Sequence, residues 1–325
     1  MSRQRKLFIH GMLYELGFRT EEGLPFPPIP LIKYAVEGII ARAQALYGVH
    51  ICSHILMSNH FHLLIVVEDP AAVPKFVAYI KRETAHMVNH LLGRRRKTVW
   101  LEGYDSVPIL DPEKAIQRFI YTYTNPTKAN LEDTIDKYPN SSSWELFLKG
   151  GGEEYRYHIP RDSYPVLPEQ TLSLADHEQL LADIIENTHS EYSLVIEPDL
   201  WLNCFSETRA ADAAVYKQRI IDGVRTAEDQ YRRSRTRPVL GTHALRLQSI
   251  RTPYMSKKWG KKMICLSSLA DLRKRFIKWF QYVSKIAEEV SLKWKDGDFT
   301  SLFPPGFFLP GGNLSANINP ALVLV

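Results

Sequence analysis

The chain is 325 residues long, 45 % hydrophobic and 24 % charged, with 41 Lys and Arg against 36 Asp and Glu for a formal net charge of +5. That composition is globular, with length for two domains of roughly 100–200 residues each, and it excludes disordered and collagen-like chains. No apolar run approaches the ~20 residues of a membrane span, no long apolar segment follows the basic start, and Cys52, Cys204 and Cys265 are too scattered for a close-spaced metal clip, so the expectation is a cytoplasmic protein with reduced thiols and no membrane partner.

Phe8, Met12, Tyr14, Leu16 and Phe18 fall on a loose alternation and predict a strand over 8–18. Pro25, Pro27, Pro28 and Pro30 make the next stretch an irregular connector. Leu31, Ala35, Ile39 and Leu46 predict a helix over 31–47, and two β-rich runs, 49–57 and 61–67, joined by Ser58, Asn59 and His60 predict a hairpin. A helix over 72–92 shows Phe76, Tyr79, Ile80, Met87 and Leu91 as its apolar stripe. After it come a basic loop and a strand-and-loop segment over 99–110. Asp111-Pro112 then opens a helix expected to run to about Thr124, ahead of Pro126.

The order strand, helix, hairpin, helix, strand, helix predicts the α+β class: an antiparallel sheet with split βαβ (ferredoxin-like) topology, covered by helices. Gly150, Gly151, Gly152 and the Pro-containing stretch to Pro168 predict a linker over 150–170, dividing a catalytic domain 1–149 from a mainly helical, basic C-terminal region 171–325. Helices are expected there near 174–186, 207–233 and 268–292, followed by an irregular Pro- and Gly-rich tail.

The net charge is unevenly placed. Residues 217–262 hold thirteen basic side chains against Asp222, Glu228 and Asp229, a local +10 that leaves the rest of the chain at −5. This run includes Arg232, Arg233, Arg235, Arg237, Lys257, Lys258, Lys261 and Lys262, with Tyr231, Tyr254 and Trp259 interleaved; Arg94, Arg95, Arg96 and Lys97 form a second block. Basic groups mixed with aromatics suit a phosphate backbone with bases stacked on rings. On charge alone, the solvated face of a helix and loop remains the other reading.

Two small constellations carry chemistry. In a strand, His60 and His62 share a face while Phe61 points to the other, and two imidazoles some 6–7 Å apart can grip one cation. Taken alone, the pair also fits two sheet-edge histidines making ordinary hydrogen bonds. Tyr121 and Asn125, four residues apart, share a helix face and set a phenol beside an amide oxygen that can complete a metal site. Pro126 biases Asn125 toward a position just past the helix end. Tyr123, on nearly the opposite face, is expected in the core.

Together these residues resemble the single-tyrosine HUH transposases, in particular the REP-associated tyrosine transposases. Their "MPNHxHLL" strand is matched by Met57-Ser58-Asn59-His60-Phe61-His62-Leu63-Leu64. Their "YIxxNPxxAxL" helix end is matched by Tyr121-Thr122-Tyr123-Thr124-Asn125-Pro126-Thr127-Lys128-Ala129-Asn130-Leu131. Leu13-Tyr14-Glu15 to Arg19, Val99-Trp100 and Tyr138-Pro139-Asn140-Ser141-Ser142-Ser143 extend the resemblance over residues 5–148 or so. Ser58 replaces the usual proline, Thr122 the isoleucine and Asn130 a common glycine; none of these changes removes a catalytic group.

The resemblance implies an HUH-type catalytic domain in which His60 and His62 hold one divalent ion, Mg²⁺ or Mn²⁺, with Asn125 as a third, oxygen ligand. Tyr121 would attack a phosphate of single-stranded or hairpin DNA, giving a 5′-phosphotyrosine and a free 3′-hydroxyl. A later 3′-hydroxyl would reverse the step without ATP or an organic cofactor. On the charge reading, and not through the resemblance, the two basic blocks would contact the DNA, with Trp259 or Tyr254 as stacking platforms, and the protein would be nucleoid-associated. Family members often act as homodimers, which is an expectation here too. Two other outcomes are a domesticated HUH-fold protein that binds hairpins without catalysing transposition, and a metal hydrolase using water.

Overall fold

In the computed structural model, which describes residues 6–170, 172–255, 263–304 and 306–307, β1 (Leu13–Arg19) is buried along most of its length and not on alternate residues only. A strand buried on both faces requires a layer on each side of its sheet. Helix α1 (Pro30–Tyr47) starts with proline at its first position and stops at Gly48, whose left-handed φ of 61° ends the helix at low cost. Strands β2 (His50–Met57) and β3 (His60–Val66) form the expected hairpin. Helix α2 (Ala72–Leu91) and the short β4 (Asp105–Pro108) follow. The sheet order β2-β3-β1-β4, antiparallel throughout, is the split βαβ arrangement read from the sequence.

Period-two alternation along β3 sorts its side chains between the layers. Phe61, Leu63 and Ile65 pack with Ile32 and Ile39 of α1 and Phe76 and Ile80 of α2. Leu64 and Val66 face the opposite cluster, with Phe119 and Tyr123 of α3 (Pro112–Lys128). His60 and His62 are in phase with Leu64 and Val66, so the strand turns both imidazoles toward α3.

Asp111 caps α3, accepting from Lys114 N at 2.8 Å, and also takes hydrogen bonds from Ser267 Oγ and Ser268 N, which ties the helix start to the C-terminal region. The helix does not end near Thr124: it runs through Asn125 and Pro126 to Lys128. Proline in the last turn forfeits one backbone bond, to Thr122 O, and the ladder resumes with Ala129 N donating to Asn125 O at 2.9 Å. Chain reversal comes at Asn130, φ 59°, the left-handed position where asparagine is the best non-glycine choice. That explains asparagine where the resembling family has glycine.

The expected linker over 150–170 is a built part of the fold. Gly150 caps α4 (Trp144–Lys149), and Gly151 lies so close to the returning chain that a Cβ would stand 2.9 Å from Ile196 O. The three glycines make a tight turn into β5 (Gly152–Tyr157). After α5 (Leu174–Glu186), β6 (Glu191–Ile196) pairs with β5 and completes a two-stranded sheet against α1. At Gly38 of α1, a Cβ would meet Tyr157 O at 2.5 Å, so this contact also requires glycine. The segment is stapled to α2 as well: the Arg161 guanidinium donates to both oxygens of the buried Glu83 carboxylate, at 2.8 and 2.6 Å.

Burial alone would raise the Glu83 carboxyl, but the hydrogen bonds from Arg161 and Arg82 outweigh it and hold it at about 2. Because the folded value lies below the unfolded one, this pair's stabilisation is complete above the unfolded carboxylate range and is lost as pH falls through it toward 2. Glu83→Gln is therefore expected to lower stability near neutral pH by on the order of 2 kcal/mol. Urea unfolding should show the gap to wild type closing on acidification; a constant gap would count against the pairing.

The C-terminal helices α6 (Ala213–Ser234), α7 (Gly241–Arg246) and α8 (Ala270–Lys295) complete the chain. Ile220 and Val224 of α6, together with Trp201, share the cluster of Phe119 and Tyr123, so the α3 layer and the C-terminal region have one continuous core. Helix α8 packs with Leu7, Phe303 and Phe307, which draws the start of the Pro-rich tail into a third cluster. Both edges of the four-stranded sheet are covered. Ser143 N donates to His54 O and Leu56 N to Ser141 O beside β2, while Leu266 N donates to Pro108 O beside β4. Among the described residues, no helix is long and apolar enough to cross a membrane.

Candidate active site

On the α3 side of β3, the His60 and His62 ring centroids lie 5.2 Å apart, and the His62 ring meets that of Tyr121 edge-on at 5.7 Å. The strand and the helix thus bring the three sequence-predicted groups into one cluster within a single chain. Burial, helped by the positive charge of His62 and Arg19, pushes the His60 imidazole down to about 3, so it is neutral and its lone pair is available at physiological pH. His54, on the neighbouring strand, is equally neutral but spent: its Nε2 is 3.0 Å from Ser141 Oγ in the core.

Each candidate histidine ligand has an oxygen close to its Nδ1. His60 Nδ1 is 2.7 Å from Asn59 Oδ1, and His62 Nδ1 is 3.2 Å from Glu15 Oε1. At His60 the acceptor at Nδ1 fixes the tautomer and leaves Nε2 as the donor atom, the usual environment of a metal-binding imidazole, while at His62 the Glu15 carboxylate stands at ion-pair distance from Nδ1. Asn125 is buried one turn beyond Tyr121, and its Nδ2 has no hydrogen-bond partner. Two neighbouring imidazoles, that of His60 neutral, and the amide oxygen that Asn125 carries on the facing helix are donor types that fit a divalent ion. Among the described residues no three His, Cys, Asp or Glu side chains are placed to hold one, so such a site depends on the amide.

Three further residues complete the cluster. Arg118 Nη2 donates to Glu15 Oε1 at 2.5 Å, and its guanidinium carbon stands 3.9 Å from the Tyr121 ring centroid. Lys128 Nζ lies 4.9 Å from the same centroid. Burial would raise the Glu15 carboxyl, but the hydrogen bond from His62 and the charge of Arg118 hold it below the usual carboxylate range. The spacing of Arg118, Tyr121 and Lys128 along one helix face is visible in the sequence. Glu15 lies within the resembling motif, yet nothing local shows that it meets a side chain 103 residues away.

The basic residues expected at DNA divide. Arg94 donates to Asn89 Oδ1, Lys97 pairs with Glu22, and Arg95 and Arg96 are exposed on the same loop. Arg232 and Arg235 are committed elsewhere: Arg232 pairs with Asp229 and donates to Asp133 O, and Arg235 pairs with Asp133 at 2.5 Å. They brace α6 against the chain after α3 and do not form a free cationic surface. Arg233 and Arg237 are exposed. Lys257, Lys258, Trp259, Lys261 and Lys262 lie outside the described residues. Tyr254, just before them, is described, and with Arg19, Thr20, Glu21, Asn59 and His60 it lines a cavity of about 110 Å³.

Residues 30–144, which include His60, His62, Tyr121 and Asn125, match the family model described as "Transposase IS200 like". Among solved structures, the chain is similar to a REP-associated tyrosine transposase bound to a REP hairpin, at 15 % identity and a TM-score of 0.40 over 46 % of this chain and 86 % of that one. It is also similar to a Deinococcus radiodurans protein described as a candidate transposase, at 17 % identity and a TM-score of 0.27 over 37 % of this chain and 95 % of that one. No curated protein matches.

Proposed function

Because residues 30–144 match the IS200-like transposase family model, we propose that this chain cuts and rejoins single-stranded or hairpin DNA, with Tyr121 as the nucleophile. The observation that carries the reading is the edge-on contact of Tyr121 with His62, which sets the phenol beside the two oriented imidazoles. His60, His62 and Asn125 would hold Mg²⁺ or Mn²⁺. Such an ion, when bound, supplies Lewis-acid polarisation of the scissile phosphoryl oxygens.

The remaining work falls to the chain's own side chains. Tyr121 Oη attacks phosphorus in line; the Oη–P bond forms, the P–O3′ bond breaks, and the phenol's proton ends, net, on the departing 3′-oxygen. Arg118 and Lys128, close to the ring, place positive charge where the phosphate must sit. The phosphotyrosine keeps the diester's energy, so a second 3′-hydroxyl reverses the same bond changes and joins DNA.

The test uses the full chain with single-stranded hairpin oligonucleotides labelled at one end or the other. A denaturing gel should show the label of the downstream piece travelling with the protein when Mn²⁺ is present, and none after chelation. Hairpin binding indifferent to chelator and to loss of either histidine would replace the reading with a purely binding one. Free cut ends without protein-linked DNA would indicate hydrolysis by water.

Glu15 has a separate expected effect. Glu15→Gln keeps the shape but weakens the acceptor at His62 Nδ1, and Mn²⁺ affinity measured by paramagnetic resonance in the absence of DNA should fall about 10–100-fold. Unchanged affinity would leave Glu15 as a partner of Arg118 only.

A further inference from the structure

The cavity beside His60 has no role in the chemistry above. It opens next to the imidazole pair, holds about 110 Å³, and is lined by Arg19, Thr20, Glu21, Asn59, His60 and Tyr254. That is space for several waters or one planar ring. Five of these residues come from the sheet half of the chain; Tyr254 comes from the C-terminal region and is held in place by backbone. Gly23 N donates to Tyr254 O at 2.8 Å, and Leu24 N to Thr252 O at 3.1 Å.

Gly23 has a left-handed φ of 70°, and a Cβ there would come within 3.2 Å of Thr252 O, so the loop is shaped to receive this segment. Ser58, in the turn that precedes His60, adds a hydrogen bond from its Oγ to Gln248 Oε1. The Tyr254 ring itself stays open, with the residue 47 % exposed. Arg94 and Arg251 lie near enough to feel each other and Glu22 beside the same loop. A ring left uncovered at the mouth of a small polar cavity that Arg19 also lines has the parts of a single-strand stacking site.

We propose that this cavity receives one unpaired nucleotide flanking the scissile phosphate, its base stacked on Tyr254 and its own phosphate drawn by Arg19. The inference rests on the function proposed above, and it names how the C-terminal region takes part in it. A paired base cannot enter so small a space, so occupancy requires the nucleotide to be splayed from any duplex. Stacking tolerates any base, while Asn59 and Thr20 offer hydrogen bonds to its edge.

The test titrates the full chain with a short random-sequence single-stranded DNA pool carrying 5-iodouracil and irradiates the complex. Mass spectrometry should find the crosslink on the peptide holding Tyr254. Tyr254→Ala should weaken affinity for the pool about tenfold and raise KM for adduct formation with kcat nearly unchanged, and Tyr254→Trp should restore both. Because Tyr254 is exposed, thermal unfolding should match wild type. Wild-type affinity and KM in Tyr254→Ala, with the Tyr121 adduct intact, would overturn the subsite and leave the catalytic reading standing. Crosslinking through Tyr254 in a protein that never forms an adduct would support the subsite and overturn the catalytic reading instead.

Discussion

Tyr121→Phe should abolish the protein–DNA adduct, a fall of roughly 10³-fold or more to background, because it removes the oxygen proposed to attack phosphorus. The ring and its contacts with His62, Arg118 and Lys128 survive the change, so affinities for Mn²⁺ and for single strands should move by no more than a few-fold. Tyr123→Phe is the matched control. Its hydroxyl is buried 3.0 Å from Ser143 Oγ, so losing it should cost about 1 kcal/mol of stability and leave the adduct in place. A Tyr121→Phe protein that still becomes linked to DNA would move the nucleophile elsewhere.

The same geometry makes a mixing prediction. Tyr121 and His62 touch within one chain, so mixing Tyr121→Phe with His62→Ala protein should restore no activity. Restoration would mean that the tyrosine helix can be exchanged between copies.

Arg118→Ala should be the most destabilising single change around the site. It removes the guanidinium from a Glu15 carboxylate whose side chain is only 9 % exposed, and stranding such a charge costs about 3–5 kcal/mol. Glu15→Gln on top of it should recover part of that loss, since a neutral amide does not need the guanidinium. The pH dependence follows from the signs. In the wild type the folded carboxyl lies below its unfolded value, so its stabilisation is present above the unfolded range and lost as pH falls through the folded value. In Arg118→Ala the folded carboxyl rises, because only His62 is left to offset burial, so that variant has less of this stabilisation to lose in acid. The difference between the two proteins, followed by urea unfolding from neutral pH to about pH 4, should therefore narrow. A difference that does not change with pH would assign the loss to packing of the Arg118 stem.

What could be read from the chain follows the range of the interactions involved. His60 and His62 share a face because strands repeat every two residues, and Tyr121 and Asn125 share one because helices nearly repeat every four; both facts are local and survive into the structure. Asn125 was expected to leave the helix before Pro126 but stays in it, since near a helix end a proline removes a single bond. The triple glycine reads as part of a linker because sequence shows glycine's freedom and not the neighbour that requires it; here that neighbour is the returning chain at Ile196 and Pro198. Arg232 and Arg235 belonged to the densest charge run, yet their carboxylate partners sit elsewhere in the chain or within it, and only the fold reveals the neutralisation. Glu15 is not assigned to the site by the sequence for the same reason, since it reaches Arg118 across 103 residues; Tyr254 reads there only as a stacking aromatic of the basic run, and the fold is what brings it beside His60.

The covered borders of the four-stranded sheet bear on how copies of this protein could meet. A strand with unpaired backbone groups invites another chain to add to it, but here the Ser141 to Ser143 turn occupies the β2 border and Leu266 the β4 border. Among the described residues, these segments stand where another chain would add to the β2 border and to the Pro108 end of β4, so extension of this sheet from one copy to the next is disfavoured there. Under the proposed chemistry, a chain with one attacking phenol would hold one broken DNA end at a time. Joining two distant ends within a single complex would then become a matter of timing: the arriving 3′-hydroxyl would have to reach the phosphotyrosine before the departed one returned.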